Sequence, residues 1–238
     1  MTYDAIPTIR GEADAFLLAA RRGLTPDVPS CPGWSVRDLT IHLGFVHRFH
    51  TAHVGRGVTT PPPQPDRPEP PEDPDRLLAW FSDGVDDLLV ALRRVDPDLP
   101  AWNWAPHTPQ VASFWPRRMA LETAVHRWDA ESAHGEAVGF ELAVAVDGID
   151  EMLTVMGPVD PEPDLPSGTL VVRATDDEAT WAVRMGPGAF EVLDRVPADP
   201  DATLEGTASG LLLGLWGRVP VDQLTVSGDR ALVERLTS

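Results

Sequence analysis

The hydrophobic pattern of this chain of 238 residues changes its period once, about two thirds of the way along. Before the change, apolar residues recur with the period of a helix, in segments separated by loops rich in Pro and Gly. After it, Leu170, Val172 and Ala174 alternate with their neighbours as the residues of a half-buried strand do. We therefore expect a helical domain over residues 1–158 and a smaller mixed α+β domain over residues 159–238.

Four long helices are expected in the first domain, which is enough for a four-helix bundle. The second helix follows Ser35, whose side chain is suited to cap it, with Asp38 three residues further on. Residues 55–74 carry too many prolines for regular structure, because each proline fixes φ and removes a backbone donor. The four helices are predicted over about residues 6–22, 35–53, 75–95 and 114–134, and a fifth, over 139–157, is expected to pack beside the bundle.

The second domain is predicted to contain a sheet and two helices. Its first two strands are joined by "DDEA", which suits a hairpin turn. The strands are expected in residues 169–175, 181–185, 190–196, 202–206 and 223–228, and the helices in residues 207–218 and 229–238.

The charge balance narrows the kinds of partner that the chain can have. A formal net charge of −18 argues against non-specific binding to nucleic acid or to anionic membranes, so the expected partners are small molecules or proteins. Cys31 is the single cysteine, which excludes an intramolecular disulfide, and the first residues lack the basic and apolar regions of a signal peptide. The apolar runs are too short to span a bilayer. These features favour a cytoplasmic protein without a transmembrane segment.

The stretch "LETAVHRWDAE" places Glu122 and His126 about one turn apart on the fourth helix, on the flank of an apolar stripe. His42 lies among the apolar residues of the second helix. A Glu/His pair four residues apart is usually a weak surface contact, and a lone His on an apolar face is usually a core residue with a hydrogen-bond partner. Together, however, the three supply the two nitrogens and one carboxylate of catalytic zinc sites that keep a fourth position open.

The other histidines and the cysteine are weaker candidates for a metal site. His50 and His53 lie two to three turns beyond His42, so one ion cannot easily be shared among them. Cys31 has no basic neighbour in sequence that would stabilise a thiolate. We expect structural or substrate-facing roles for His47, His50, His53, His107 and His134, and a buried or turn-packing role for Cys31.

Four stretches closely resemble the mycothiol-dependent maleylpyruvate isomerase family, which is part of the DinB-like metalloenzyme superfamily. They are "PSCPGWSVRDLTIHLGFVHR", "FWPRRMALETAVHRWDAE", "DATLEGTASGLLLGLWGRVP" and "LTVSGDRAL", and the resemblance extends over nearly the whole chain. It implies an N-terminal DinB-like four-helix bundle that carries zinc, although another divalent metal would fit the same ligands. It also implies a C-terminal domain similar to sterol carrier proteins.

The resemblance also implies roles for particular residues. The metal ligands of the family fall on His42, Glu122 and His126, all of which are present without departure. An Arg that the family's C-terminal domain contributes to the site is best matched by Arg218. The family members are chemically diverse, so the resemblance does not carry over a substrate.

These residues lead to a hypothesis about the reaction. Zinc lowers the pKa of a bound thiol, so mycothiol, as cofactor or cosubstrate, would occupy the open position as a thiolate and attack an electrophilic small molecule. Elimination of the thiol would give isomerisation, and its retention would give an S-conjugate.

Three further side chains are predicted to meet the substrate. Arg118 and Arg218 could bind a carboxylate or the polar groups of the thiol, although Arg118 could equally form an ion pair with Glu122 or Asp129. Trp104 is expected to line the pocket. Its neighbour Trp102 is the better candidate for a plug that packs the loop onto the bundle.

Two other functions remain open at the level of the sequence. The chain could be a non-catalytic or regulatory protein that binds a metal or a thiol adduct, or a zinc hydrolase in which the open position activates water. Turnover that depends on thiol separates the isomerase or S-transferase from both. A monomer and a homodimer are equally compatible with the sequence.

Overall fold

The computed structural model describes residues 3–63, 68–105, 107–157, 159 and 163–237, which form two compact units. The helical unit contains the described residues up to 104 and residues 109–138. The second unit contains the described residues from 139 onward, together with 105, 107 and 108. The boundary between the domains was predicted at residue 158. In the structure, the residues that follow residue 138 already belong to the second unit.

Four long helices make up most of the helical unit, as predicted. The second helix begins with the expected cap, in which the Ser35 hydroxyl accepts a hydrogen bond from the Asp38 amide and the Asp38 carboxylate accepts one from the Ser35 amide. Asp4 and Asp73 cap the first and third helices in a related way, since each side chain accepts a hydrogen bond from a backbone amide of the first turn. The helices are α1 (Ala5–Ala20), α2 (Val36–His53), α3 (Pro74–Arg94) and α4 (Phe114–Ser132).

The core of the helical unit lies where α1 packs on α3 and α4, and where α2 packs on α3. Phe16 of α1 and Phe81 of α3 stack at its centre, with ring centroids 4.8 Å apart. Leu39 and Leu43 of α2 are fully buried beside them. Removal of such large apolar side chains from water is the main source of stability in a helical bundle.

Helix α4 is buried around most of its circumference, including several charged side chains. By helical periodicity Arg127 falls on the face of α4 opposite the apolar stripe, which predicts a solvated position for it, and this prediction is wrong. Arg127 is only 5% exposed, and it pairs with Glu12 and Glu131 at 2.8 Å. The physical reason is that α1 packs along this side of α4 and supplies a partner carboxylate, so that the buried charge is neutralised.

The second unit begins with α5 (Leu142–Glu151), which continues into one π-helical turn over Met152–Met156. This helix was expected to pack beside the bundle; in the structure it belongs to the second unit and packs against α6 (Ala208–Leu215). The other elements are β1 (Gly168–Ala174), β2 (Thr180–Gly186), β3 (Ala189–Val192), β4 (Ala202–Gly206), α6 (Ala208–Leu215), β5 (Thr225–Gly228) and α7 (Arg230–Leu236).

The five strands form one mixed sheet in the order β3-β2-β1-β4-β5. Strands β1 and β4 are parallel, with Leu170 opposite Ala202, and the other neighbours are antiparallel. Leu170, Val171 and Val172 are all fully buried, so the central strand is covered on both faces. Within the described residues, no helix is both long and apolar enough to cross a membrane.

Candidate metal centre

His42, Glu122 and His126 converge, although α2 and α4 are far apart in sequence. The Glu122 Oε1 atom lies 3.5 Å from His42 Nε2 and 3.3 Å from His126 Nε2. The two imidazole rings meet edge to face, with centroids 5.1 Å apart. One carboxylate oxygen and two ring nitrogens thus point toward a common space.

The spacing of these atoms matches what a small divalent ion requires. Zinc binds His nitrogen and carboxylate oxygen at about 2.0–2.2 Å in tetrahedral geometry, which separates neighbouring ligand atoms by roughly 3.3–3.5 Å. Glu122 Oε1 meets this separation with both nitrogens. The three residues therefore fit a zinc ion, and three protein ligands leave one tetrahedral position for another molecule.

Asp129 and Arg118 hold two of the candidate ligands in place. Asp129 is fully buried, and its Oδ2 atom lies 2.8 Å from His126 Nδ1. An ionised carboxylate can only accept, so Nδ1 carries a proton, and Nε2, the nitrogen on the Glu122 side, is the atom that a metal ion would bind in place of a second proton. The Arg118 guanidinium donates to Glu122 Oε2 at 2.9 Å, which leaves Oε1 directed at the two histidines.

Charges within the cluster set its protonation. Burial would raise the pKa of Glu122, but hydrogen bonds from His126 and His42 and the charge of Arg118 hold it well below its usual range. Burial would also lower the pKa of His126, but hydrogen bonds to Asp129 and Glu122 outweigh it and raise the pKa to about 9. A cation at this point is therefore electrostatically favoured, whether it is a proton or a metal ion.

A second set of ligand atoms, from Cys31, His126 and Asp129, lies next to the first. The 2.8 Å between His126 Nδ1 and Asp129 Oδ2 is a hydrogen-bond distance, shorter than the roughly 3.3 Å between two ligands of one zinc ion. The Cys31 thiol and the Ser30 hydroxyl both donate to Asp129. We therefore interpret this set as the hydrogen-bonded support of His126. This role of Asp129 was not predicted from the sequence. Its position three residues after His126, which places the two side chains on the same side of α4, could have indicated it.

A cleft of about 920 Å³ opens beside the centre, and His42 lines it. Its walls are mainly aromatic and proline side chains, as in many small-molecule sites. Trp102 belongs to this wall, whereas Trp104 is not among the described lining residues and packs edge to face on Phe114. The structure thus places Trp102 at the cleft, and a substrate contact of Trp104 stays a prediction.

The two arginines predicted to meet the substrate differ in their surroundings. Arg118 forms the ion pair with Glu122 that the sequence offered as one alternative, and its side chain is only 4% exposed. Arg218 lies in the second unit, just after α6, where it donates to the Trp216 carbonyl and lies over the Trp216 ring. A substrate contact of either arginine stays a prediction.

Two further histidines of α2 are buried. His47 is fully buried and bonds to the Thr123 hydroxyl through Nε2 at 3.1 Å. His50 is buried against Trp115 and also lines the cleft. Burial lowers the pKa of each ring to about 3, so both are neutral near pH 7.

Comparison with known proteins places this chain in a family. The family model of the mycothiol maleylpyruvate isomerase N-terminal domain matches residues 9–131, just over half of the chain. The chain belongs to the mycothiol maleylpyruvate isomerase family. The model of the MDMPI C-terminal domain matches residues 143–235. Both parts of the chain thus correspond to the domains of the mycothiol maleylpyruvate isomerase family.

Solved structures extend the comparison to the fold. The crystal structure of the mycothiol-dependent maleylpyruvate isomerase is similar to this chain with a TM-score of 0.64 at 16% sequence identity, and covers 94% of this chain and 91% of that one. A histidine-to-alanine mutant of the same isomerase gives the same values. At this identity the likeness shows the fold shared within the mycothiol maleylpyruvate isomerase family. No curated protein matches the chain.

Proposed function

We propose that this protein is a metal-dependent enzyme that uses a low-molecular-weight thiol, mycothiol, to attack an electrophilic small molecule. The observation that carries the proposal is the convergence of His42, Glu122 and His126 beside an aromatic cleft, which His42 lines. Membership in a family of mycothiol-dependent isomerases supports the choice of thiol. The products would be an isomer, if the thiol is eliminated, or an S-conjugate, if it is retained.

His42, Glu122 and His126 would hold the metal, with zinc as the ion that fits the ligand types. When bound, such an ion supplies a Lewis acid that lowers the pKa of a thiol, so that a nucleophile forms near pH 7 without a protein cysteine. Arg118 keeps one carboxylate oxygen of Glu122 engaged, and Asp129 keeps the proton of His126 on Nδ1. These two contacts hold the ligand atoms ready before the ion arrives.

The cleft would contribute binding and exclusion of water. The Trp34 ring lies 4.9 Å from the His42 ring and shields one side of this ligand. Apolar walls lower the local dielectric, which strengthens the attraction between a thiolate and nearby positive charge. Arg218 remains our candidate for a carboxylate contact from the second domain, on the basis of its position in the family motif.

The experiment begins with metal analysis of the purified protein and of the variants His42→Ala and His53→Ala. We expect close to one equivalent of zinc or another divalent metal in the wild type and in His53→Ala, and a large loss in His42→Ala. Turnover of electrophiles is then measured with and without mycothiol. Turnover that needs thiol supports the proposal. Thiol binding without turnover would favour a binding protein, and turnover without thiol a hydrolase. Unchanged metal content in His42→Ala would overturn the site.

A further inference from the structure

The cleft extends well beyond the metal-ligand candidates. His42 and His50, which lie eight residues apart on α2, both line it, with Phe45 and Phe49 between them. At 1.5 Å of rise per residue, the two histidines lie roughly 12 Å apart along the helix axis. A molecule that places one end at His42 therefore needs an extended body to reach His50.

Aromatic neighbours hold the His50 ring in one orientation. It stacks on Trp115 with centroids 3.8 Å apart, and the ring of Phe49 meets it edge to face at 5.0 Å. Trp115 is itself fixed, because its indole nitrogen donates to the Trp102 carbonyl at 3.1 Å. The imidazole is thus held in place by packing rather than by its own polar atoms.

The polar atoms of this ring are without protein partners. Within the described part of the chain, the contacts of His50 are with aromatic rings, and none is a hydrogen bond to a ring nitrogen. The other histidines of the same helix end each have such a bond, since His47 bonds to Thr123 through Nε2, although its Nδ1 is buried without a partner, and His53 bonds to the Phe49 carbonyl. The nitrogens of His50 are not among the fully buried unpartnered atoms, so they remain accessible from the cleft that His50 lines, where a ligand can pair with them.

We propose that His50 is a specificity-determining contact for the thiol, through a hydrogen bond to a hydroxyl or amide group on the body of the molecule. A neutral imidazole offers one donor and one acceptor, which suits an uncharged polar group better than a carboxylate. The aromatic walls between His42 and His50 would pack against the carbon framework of this body. The inference rests on the proposed function, because the sulfur end must lie at His42.

The test compares two thiols on the metal-loaded protein. Dissociation constants for mycothiol and for 2-mercaptoethanol, which has almost no body, are measured by calorimetry for the wild type, His50→Phe and His50→Gln. Phe keeps the stacking on Trp115 and removes the hydrogen bond, whereas Gln keeps a donor and an acceptor. We expect His50→Phe to bind mycothiol about 5- to 10-fold more weakly, with 2-mercaptoethanol unaffected. His50→Gln should recover part of the loss, and the control His53→Gln should match the wild type.

The outcomes separate this inference from the proposed function. Wild-type protein that binds neither thiol would overturn the proposed function itself. Wild-type preference for mycothiol that survives intact in His50→Phe would overturn only the role of His50.

Nitrogen NMR of the wild type is a second test, which does not depend on a variant. The ring nitrogens of His50 should shift with mycothiol and stay unchanged with 2-mercaptoethanol, and the absence of that difference would also count against the inference.

Discussion

Among single residues, Asp129 has the largest expected influence on the metal centre without being a ligand. It is fully buried on α4 and accepts hydrogen bonds from the ring of His126 and from Ser30 and Cys31. These contacts fix the angle of the His126 ring and make its Nε2 atom more basic. The residue would thus act on a bound metal through another side chain.

Replacement of Asp129 by Asn should therefore weaken the metal centre. An amide has no net charge to support the Nδ1 proton of His126, and we expect zinc affinity to fall about 10- to 100-fold. Competition with a chromophoric chelator measures this change directly. Asp14→Asn, on the exposed surface of α1, is the matched control and should bind zinc as the wild type does. Equal affinities in both variants would show that Asp129 does not position His126.

The buried ring of His47 should make the protein sensitive to acid. Burial lowers the pKa of His47 from 6.5 to about 3, so between these values the unfolded state binds more protons than the folded state. Stability is then complete above about pH 6.5 and is lost as the pH falls toward 3. From pH 7 to pH 5 this one residue should remove about 2 kcal/mol of unfolding free energy.

Urea denaturation of wild type and His47→Gln at pH 7 and pH 5 tests this expectation. Gln does not titrate and can still bond to Thr123, so the variant should lose less stability between the two pH values. Parallel losses in both proteins would mean that the folded state accommodates a charged His47.

Among the elements, α2 and α3 approach closely because each presents a glycine to a large side chain of the other. A Cβ atom on Gly44 would lie 2.2 Å from a ring atom of Trp80, and one on Gly84 would lie 2.2 Å from the Arg48 guanidinium. Arg48 also lies over the Trp80 ring at 3.8 Å, in a cation–π arrangement. This contact fixes α2, and hence His42, against the rest of the helical unit.

Gly44→Ala should accordingly destabilise the helical unit, because the Trp80 ring has to move. We expect a loss of about 1–3 kcal/mol in the free energy of unfolding. Gly11→Ala, on α1, is the control, since a Cβ atom at Gly11 would have no neighbouring atom within 4 Å. Ala is the better helix former, so this variant should gain up to about 1 kcal/mol. Thermal or urea unfolding of both variants decides whether close approach or helix propensity dominates.

The helices and strands were largely predictable, whereas several side-chain environments were not. Periodicity predicted the course of α2 and α4, and the Ser35 cap was read from two residues. Arg127 was misplaced because the assignment of helix faces from periodicity assumes one buried side per helix, and the partner of His47 could not be predicted. Neighbouring helices cover several sides of α4, and the Thr123 hydroxyl that pairs with His47 comes from a distant part of the chain. Only the tertiary structure contains that information.

The candidate site was predictable to a similar degree. The spacing of Glu122 and His126, with His42 on another helix, indicated the three residues that the structure brings together. Their role as metal ligands stays a prediction. Trp102 could not be assigned to the cleft from sequence, because an irregular loop has no periodicity from which the direction of a side chain can be read.

For the molecule as a whole, the metal should couple the stability of the helical unit to the ion concentration. The candidate ligands come from two helices that meet only in the folded state, so zinc would bind the folded protein in preference to the unfolded chain. Free zinc at 100 times its dissociation constant should add about 2.7 kcal/mol to the free energy of unfolding. Urea unfolding with and without zinc measures this gain. Glu122→Gln should show a much smaller gain, and an equal gain would place the ion elsewhere.

The parallel pairing of β1 with β4 has a consequence for how the chain is made. Leu170 pairs with Ala202, 32 residues later, while β2 and β3 occupy the other side of β1. A nascent chain that has emerged from the ribosome only as far as β3 can form a three-stranded antiparallel sheet of β1, β2 and β3. In that sheet β1, which is central in the complete sheet, is an edge strand with unpaired backbone groups. The free edge of β1 is covered only when β4 emerges. The interval in which residues 192 to 206 emerge is therefore the one in which this edge is most exposed to pairing with another chain.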